Sequence, residues 1–362
     1  MEKSDANSEG LHLSTIFNVP APQRFIVLIV LALWIWACIL RFFSHNNLDV
    51  SQVLLTRVPQ DIRPGYTLMQ LHRTARTFAF KITRIIIPFH FITVFLFEYK
   101  NTTEGPFKNT VFFVYFLPLV QSVIIFSYLL KECQIIKYCT RRCLLIEPSP
   151  RSLRNTYVLL SDTLTSFARP LIDFTLFSSL IFREPLTHFD LSVALFPVLV
   201  RLLQCLREYR LLHDKTLLFN ALKYSCNLPI LFCTWQSRVY EGSANTERLH
   251  HVQRWFMLLN SSYTLFWDVR MDWSLDSLSS LRSRSKSAVT LEKKMYHFAI
   301  IIDFVLRFWW LWVYLFQSLR PVAIKGDHLF FEGEMHYLEV IRRGIWVIFK
   351  LDAEYYIKFA SK

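Results

Sequence analysis

The segment from Tyr296 to Phe316, YHFAIIIDFVLRFWWLWVYLF, is long and apolar enough to cross a bilayer, yet it contains an acid and a base. A membrane-spanning helix needs about 20 mostly apolar residues, and a charge at its centre costs about 2.5 to 3.5 kcal/mol on insertion scales. The i, i+4 spacing of Asp303 and Arg307 places both on one helix face, where they can neutralise each other away from lipid. Ionisable residues inside a membrane span are first interpreted as part of a substrate path. The alternative is an ion pair whose only role is to hold helices together.

The composition of the whole chain indicates a polytopic membrane protein. Of the 362 residues, 53% are apolar and 16% are aromatic, which is more apolar surface than a soluble domain carries. The net charge of +13 comes from basic residues in the short loops between apolar segments, a pattern typical of cytosolic loops. Membrane lipid is therefore an expected partner and nucleic acid is not. The seven cysteines form no CxxC pair, so neither a disulfide framework nor a metal site is expected.

The apolar segments predict an all-α transmembrane bundle of about nine spans, within a range of eight to ten. The predicted spans are residues 25–43, 85–98, 111–130, 157–182, 189–206, 216–235, 252–269, 296–316 and 329–349. The 40 residues after the first span are basic and should be cytosolic, whereas a glycosylation sequon begins at Asn101 in the next loop. Both signals place the N-terminus in the lumen, and nine crossings then place the C-terminus in the cytosol.

Polar residues recur in the later, otherwise apolar spans and predict a charged interior. The candidate substrate-binding residues are Asp162, Thr165, Lys223, Tyr224, Asp268, Asp272, Arg307, Trp310, Glu339, Arg342 and Arg343. With Asp303, the set contains four cations and five acids, so the empty interior would be close to neutral or mildly acidic. Arginine suits an anion site because its planar fork clasps phosphate or carboxylate with paired hydrogen bonds. Structural salt bridges between helices are the alternative, and spacing alone does not separate the two.

Six segments in succession resemble the signatures of the EXS-domain family of phosphate exporters. They are LLSDTLTS (159–166), RLLQCLREYR (201–210), NALKYS (220–225), WDVRMDW (267–273), IIIDFVLRFWW (300–310) and LEVIRRGIWVIFKLDAE (338–354). The resemblance implies a transmembrane transport domain over 155–354, preceded by N-terminal spans with basic cytosolic loops over 24–154. A polar N-terminal segment (1–23) and a short cytosolic tail (355–362) would flank them.

The resemblance also implies a function. The family moves inorganic phosphate, and the eleven candidate residues fall on its pathway or phosphate-contact positions. A Golgi member would return to the cytosol the phosphate released during lumenal glycosylation, which would support retention of ER and Golgi proteins. Two departures stand out: only 23 polar residues precede the first span, so the family's SPX sensor domain is expected to be lacking, and three spans rather than four precede Asp162.

Other classes of function remain open at this point. The chain could be a sorting adaptor that retrieves Golgi glycosyltransferases and ER residents through its cytosolic loops and C-terminal lysines, without transport. A membrane-embedded enzyme is disfavoured because no nucleophile stands beside a base, so no enzymatic activity is expected. No GxxxxGK[ST] loop occurs, so transport would be passive or ion-coupled, and no cofactor is expected. The sequence leaves the oligomeric state open, a homodimer included.

Overall fold

All regular secondary structure is helical in the part of the chain that the structure describes. This computed structural model describes residues 21–59, 61–62, 64–102, 110–148, 153–173, 189–240, 245–275, 291–319 and 334–359. Its helices are α1 (Ala21–His45), α2 (Leu68–Thr102), α3 (Thr110–Glu132), α4 (Gln134–Leu144), α5 (Arg154–Ser166), α6 (Ala168–Asp173), α7 (Phe189–Leu212), α8 (Lys215–Ser225), α9 (Asn227–Val239), α10 (Asn245–Trp267), α11 (Lys293–Arg307), α12 (Trp309–Leu319) and α13 (Glu334–Phe359). A 3-10 turn (Val50–Gln52) and a π-helical segment (Asp268–Asp272) complete the described elements. The predicted all-α class is confirmed.

Three described helices are long and apolar enough to cross a membrane: α1, α2 and α7. Two bent pairs raise the number to five if each pair is one span. These pairs are α3 with α4, bent by 111°, and α11 with α12, bent by 53°. Three to five candidate spans do not confirm nine crossings, which stay a prediction. Residues 1–20, 174–182 and 329–333, which belong to the predicted N-terminal segment and to two predicted spans, lie outside the described residues.

The second span is longer than predicted. Its helix begins at Leu68 rather than near residue 85, so basic residues assigned to a cytosolic loop lie on the first turns of α2. Phe78 and Ile82 are buried against α1 while Arg76 and Arg84 are exposed. The segment is therefore amphipathic, and its average polarity concealed the helical repeat.

Several predicted spans are broken rather than continuous. The fourth is interrupted at Phe167, the sixth at Cys226 and the eighth at Phe308. The break at Phe308 occurs without a proline. The Phe308 carbonyl accepts hydrogen bonds from the N–H groups of Leu311 at 2.9 Å and Trp312 at 3.1 Å, so it stays satisfied at the bend. Breaks of this kind occur at membrane depth where a helix is buried in protein or lines a cavity.

Local sequence explains where α8 begins. Asp214 is its N-cap, and its side chain accepts a hydrogen bond of 2.9 Å from the Thr216 N–H. This hydrogen bond holds the pKa of the Asp214 carboxyl below its usual value. The cap fixes the start of the helix that carries Lys223 and Tyr224 two to three turns later.

Helix α13 lies at the centre of the described fold and contacts α1, α5, α11 and the π-helical segment. Trp346 and Leu351 are almost fully buried in a core that also contains Phe43 of α1 and Tyr296 of α11. A Cβ atom on Gly344 would lie 2.5 Å from Cγ2 of Ile35, so only glycine allows α1 to approach this closely. The helix continues to Phe359, and residues 355–359 of the predicted tail are therefore helical.

Candidate functional site

One face of α13 carries a row of polar side chains. Glu339, Arg342, Trp346 and Lys350 follow one another at intervals of three or four residues, which places them on a single side of the helix. The row extends about 16 Å along the helix axis, or half the thickness of a bilayer core. Side chains from α5, α8, α10, α11 and the π-helical segment meet this face or its partners, and together they form the charged core of the protein.

The π-helical segment presents two carboxylates to one lysine. Lys223 Nζ of α8 donates to Asp268 Oδ1 at 2.9 Å and to Asp272 Oδ2 at 3.4 Å. The Trp273 N–H donates to the Asp268 carbonyl, five residues earlier, at 2.9 Å, and this wider turn keeps both acids on one side. Asp272 also accepts from Trp346 Nε1 at 3.2 Å and pairs with Lys350 Nζ at 3.4 Å. Such π-helical turns are frequent at functional sites.

Arg307 joins three elements just before the bend at Phe308. Its guanidinium pairs with Asp268, lies 3.3 Å from Asp303 Oδ2, and donates to Thr264 Oγ1 of α10 at 2.7 Å. The Asp303–Arg307 pair predicted from i, i+4 spacing therefore exists, but it is one edge of a larger network. Trp310, beyond the bend, donates from Nε1 to Ser261 Oγ of α10 at 3.1 Å.

Arg342 connects the same network to the far end of the polar row. Its Nη1 lies 3.0 Å from Asp303 Oδ1 and 3.6 Å from Asp268 Oδ2. Its Nη2 lies 2.6 Å from Glu339 Oε1. The side chain of Glu339 is 35% exposed whereas that of Arg342 is only 4% exposed, so the network reaches the protein surface at Glu339.

A second cluster is centred on Asp162 of α5. Its Oδ1 lies 2.7 Å from Nε of Arg201 on α7 and accepts a hydrogen bond of 2.7 Å from the Tyr224 hydroxyl. Arg201 also donates to Tyr224 at 3.1 Å and to Gln204 Oε1 at 3.0 Å. All four side chains are buried, so the cluster is a closed polar unit within the helix bundle.

Arg343 differs from the other cations of the core. It donates from Nε to Ser166 Oγ at 2.8 Å and from Nη2 to Thr165 Oγ1 at 3.4 Å, and its guanidinium lies 4.7 Å from the centre of the Trp346 ring. No carboxylate pairs with it among the described residues, and its buried Nη1 has no hydrogen-bond partner there. Burial without a full set of partners is costly for a guanidinium, and a bound anion would remove that cost.

The structure brings all eleven predicted residues into these connected clusters and adds others. The sequence prediction missed Arg201, whose signal was an arginine inside the predicted apolar span 189–206. The same reasoning singled out Arg307. It also missed the hydroxyl groups of Ser166, Ser261 and Thr264, which carry no charge and give no sequence signal. With Arg201 included, together with Lys350 and its second partner Glu354 at 2.9 Å, the core holds six cations and six carboxylates. They are Arg201, Lys223, Arg307, Arg342, Arg343 and Lys350, and Asp162, Asp268, Asp272, Asp303, Glu339 and Glu354.

Several apolar helices around a buried, charge-balanced core define a membrane protein with a polar interior. The chain belongs to the EXS family, which matches residues 19–356. The match includes the N-terminal helices as well as the six signature segments.

Related proteins extend the comparison. The chain is 82% identical to Protein ERD1 of Saccharomyces cerevisiae over 362 residues, which is 100% of both chains. It is 32% identical to Protein ERD1 of Kluyveromyces lactis over 377 residues, covering 93% of this chain and 94% of that one. It is also 32% identical to human Solute carrier family 53 member 1 over 174 residues, covering 45% of this chain and 24% of the human protein.

Proposed function

We propose that the protein is a non-enzymatic transporter or channel that carries inorganic phosphate from the Golgi lumen to the cytosol. In this role it removes the phosphate left by lumenal glycosylation and thereby supports retention of ER and Golgi proteins. The family resemblance of the six signature segments supports the phosphate and the Golgi location. The name of the human relative, a solute carrier, supports transport.

The observation that carries the proposal is the state of Arg343. Each of the other five cations in the core is paired with at least one carboxylate: Arg201 with Asp162, Lys223 with Asp268 and Asp272, Arg307 with Asp268 and Asp303, Arg342 with Asp303 and Glu339, and Lys350 with Asp272 and Glu354. Arg343 instead faces two hydroxyl groups, and its buried Nη1 group has no hydrogen-bond partner among the described residues. A phosphate oxygen is the acceptor that this buried cationic fork fits.

The surroundings of Arg343 suit an anion that moves on after binding. The hydroxyls of Thr165 and Ser166 can donate to phosphate, and Ser166 also donates to Glu339 at 2.9 Å, so they can exchange partners. Arg342 lies next along the helix, and its carboxylate partners keep it oriented. A phosphate that replaces a carboxylate on Arg342 or Arg307 would move along the polar row by exchange of partners.

The proposed topology has nine crossings, with the N-terminus in the lumen and the C-terminus in the cytosol. Its support is the positive charge of the loops and the position of the Asn101 sequon. In this topology α11 and α12 count as one span, and α3 crosses without α4, whose basic residues stay in the cytosol. Helices α5, α8 with α9, α10 and α13 cross despite their charges because those charges face the core.

Phosphate flux through liposomes that contain the purified full-length protein tests the proposal, with Arg343→Lys as the main variant. Lysine keeps the charge but lacks the planar fork, so flux should fall about tenfold or more, the effect of losing a charged hydrogen bond. The variant should fold because no carboxylate loses its partner. Arg238→Lys is the matched control, since Arg238 forms a partly exposed ion pair with Asp190 outside the core.

The outcomes separate the proposal from its alternatives. Equal flux in wild type and Arg343→Lys would remove Arg343 from the site, and absence of flux in folded wild type would contradict transport altogether. Retention of Golgi glycosyltransferases in cells without any phosphate flux would favour the sorting adaptor. Of the two C-terminal lysines that the adaptor would use, Lys358 donates from Nζ to the Gln52 carbonyl at 2.5 Å, and Lys362 lies outside the described residues.

A further inference from the structure

A groove on the outer face of α2 lies apart from the charged core. It has a volume of about 420 Å³ and is lined by Met69, His72, Arg73, Arg76, Thr77 and Phe80. The groove is open on its outer side rather than enclosed. All six residues lie on one helix, so the groove does not depend on how distant parts of the chain pack.

The groove is cationic and its arginines are available. Arg73 and Arg76 are exposed, and neither pairs with a carboxylate in the part of the chain that the structure describes. Arg41 of α1 is also exposed and, together with Arg76, lies close enough to His72 to act on it electrostatically. Arg73 and Arg76 therefore line the groove beside His72, and Arg41 of the neighbouring helix adds to the positive potential there. Such a surface binds an anion, and the arginine forks favour a phosphate.

The same helix face becomes apolar towards its C-terminal end. The exposed positions recur every three or four residues, in the order Met69, Arg73, Arg76, Phe80, Arg84, Ile87 and Phe91. The distance from Phe80 to Phe91 is about 16 Å along the axis, close to the depth of one bilayer leaflet at about 15 Å. Arg84 lies one turn below Phe80, where a long side chain reaches back to the headgroups. The stripe thus has a basic head region and an apolar region of the length of an acyl chain.

We propose that this stripe, from Met69 to Phe91, binds one anionic phospholipid whose headgroup carries a phosphomonoester, such as a phosphoinositide. The headgroup phosphate lies between Arg73, Arg76 and His72, and an acyl chain lies along Phe80, Ile87 and Phe91. The apolar extension favours a lipid over a soluble phosphate, because a free phosphate ion gains no binding energy from an apolar surface. The proposal does not depend on phosphate transport, since no residue of the stripe belongs to the charged core.

Native mass spectrometry of the full-length protein in phosphatidylcholine nanodiscs tests the site. The nanodiscs contain a small fraction of phosphatidylinositol 4-phosphate or of phosphatidylserine with the same acyl chains. Wild type should retain the phosphoinositide in preference to both other lipids. Arg73→Gln with Arg76→Gln should weaken that retention about 30-fold, which is the effect of two basic residues at an anionic lipid surface.

The matched control removes the same charge elsewhere. Lys293 and Lys294 are exposed at the start of α11, outside the groove, and Lys293→Gln with Lys294→Gln should leave the preference for phosphoinositide intact. An equal loss in both double variants would overturn the proposal in favour of a general charge effect. Displacement of the lipid by soluble inositol 1,4-bisphosphate at the same concentration would identify a free-anion site instead. Wild type that retains the three lipids equally would exclude a lipid site, and this last measurement needs no variant.

Discussion

Replacing Arg307 by alanine separates the structural from the functional role of the charged core. In the structure its guanidinium forms ion pairs with Asp303 and Asp268 and donates a hydrogen bond to Thr264. Breaking a buried ion pair costs about 3 to 5 kcal/mol when the remaining charge is left alone. Here neither carboxylate is left alone, because Asp303 keeps Arg342 at 3.0 Å and Asp268 keeps Lys223 at 2.9 Å. We therefore expect a smaller loss, about 2 kcal/mol, close to the value of one charged hydrogen bond.

Arg342→Ala provides the internal comparison. Its removal leaves Glu339 with the Ser166 hydroxyl but without an ion-pair partner among the described residues. Because the Glu339 side chain is 35% exposed, the loss should exceed that of Arg307→Ala but stay below the 3 to 5 kcal/mol expected of about one fully buried unpaired charge. Denaturant unfolding in detergent, followed by tryptophan fluorescence, measures both free energies of unfolding. Equal destabilisation by the two variants would refute the claim that the network shares its charges.

Phosphate flux supplies the second measurement on the same proteins. Arg307→Ala and Arg307→Lys should both lose most of their flux, the lysine variant because it lacks the planar fork. The double variant Asp303→Asn with Arg307→Gln removes one charge of each sign and should recover stability without recovering flux. Normal flux in a stable double variant would reduce Arg307 to a structural ion-pair partner.

Three further expectations follow from the packing and the proposed topology. Gly344→Ala should lower the free energy of unfolding by about 1 to 3 kcal/mol because its methyl group meets Ile35. Adding Ile35→Ala in the same chain should restore part of that loss. Undiminished stability of Gly344→Ala would mean that α1 and α13 are further apart than the structure shows. Arg201→Met should lower the free energy of unfolding by about 3 to 5 kcal/mol, and adding Asp162→Asn should restore part of the loss. Unfolding of the two single variants and of the double variant measures this, and additive losses would exclude a direct ion pair. Asn101 should carry a glycan that peptide-N-glycosidase removes. A C-terminal tag should be cleaved by protease in sealed, right-side-out vesicles, and a protected tag would reverse the proposed topology.

The sequence predicted the charged core well because charges in apolar segments are rare and expensive. The i, i+4 spacing of Asp268 and Asp272 correctly placed both on one face, and Lys223 contacts both. Their roles in substrate binding stay predictions. Arg201 was missed only because its helix was read for its apolar length, although an arginine at its centre met the same criterion as Arg307.

The course of the helices was harder to predict, for physical reasons. Hydropathy averages over a window, so it hid the start of α2, where buried and exposed residues alternate at the helical period around Ile82. The bend at Phe308 lacks the proline that sequence reading relies on and depends on packing between distant segments. The wider turn between Asp268 and Trp273 has no sequence marker either, since it inserts no glycine or proline into the helix.

The equality of positive and negative groups in the core has an electrical consequence. In the proposed transport, a neutral lining exerts no net attraction or repulsion on a phosphate, and charges that stay in place carry no current themselves. Each phosphate that crosses alone then carries current, and a membrane potential does about 2.3 kcal/mol of work per elementary charge for every 100 mV. A voltage across the membrane would set the direction of flux as strongly as a concentration gradient, unless a proton or another cation travels with the anion.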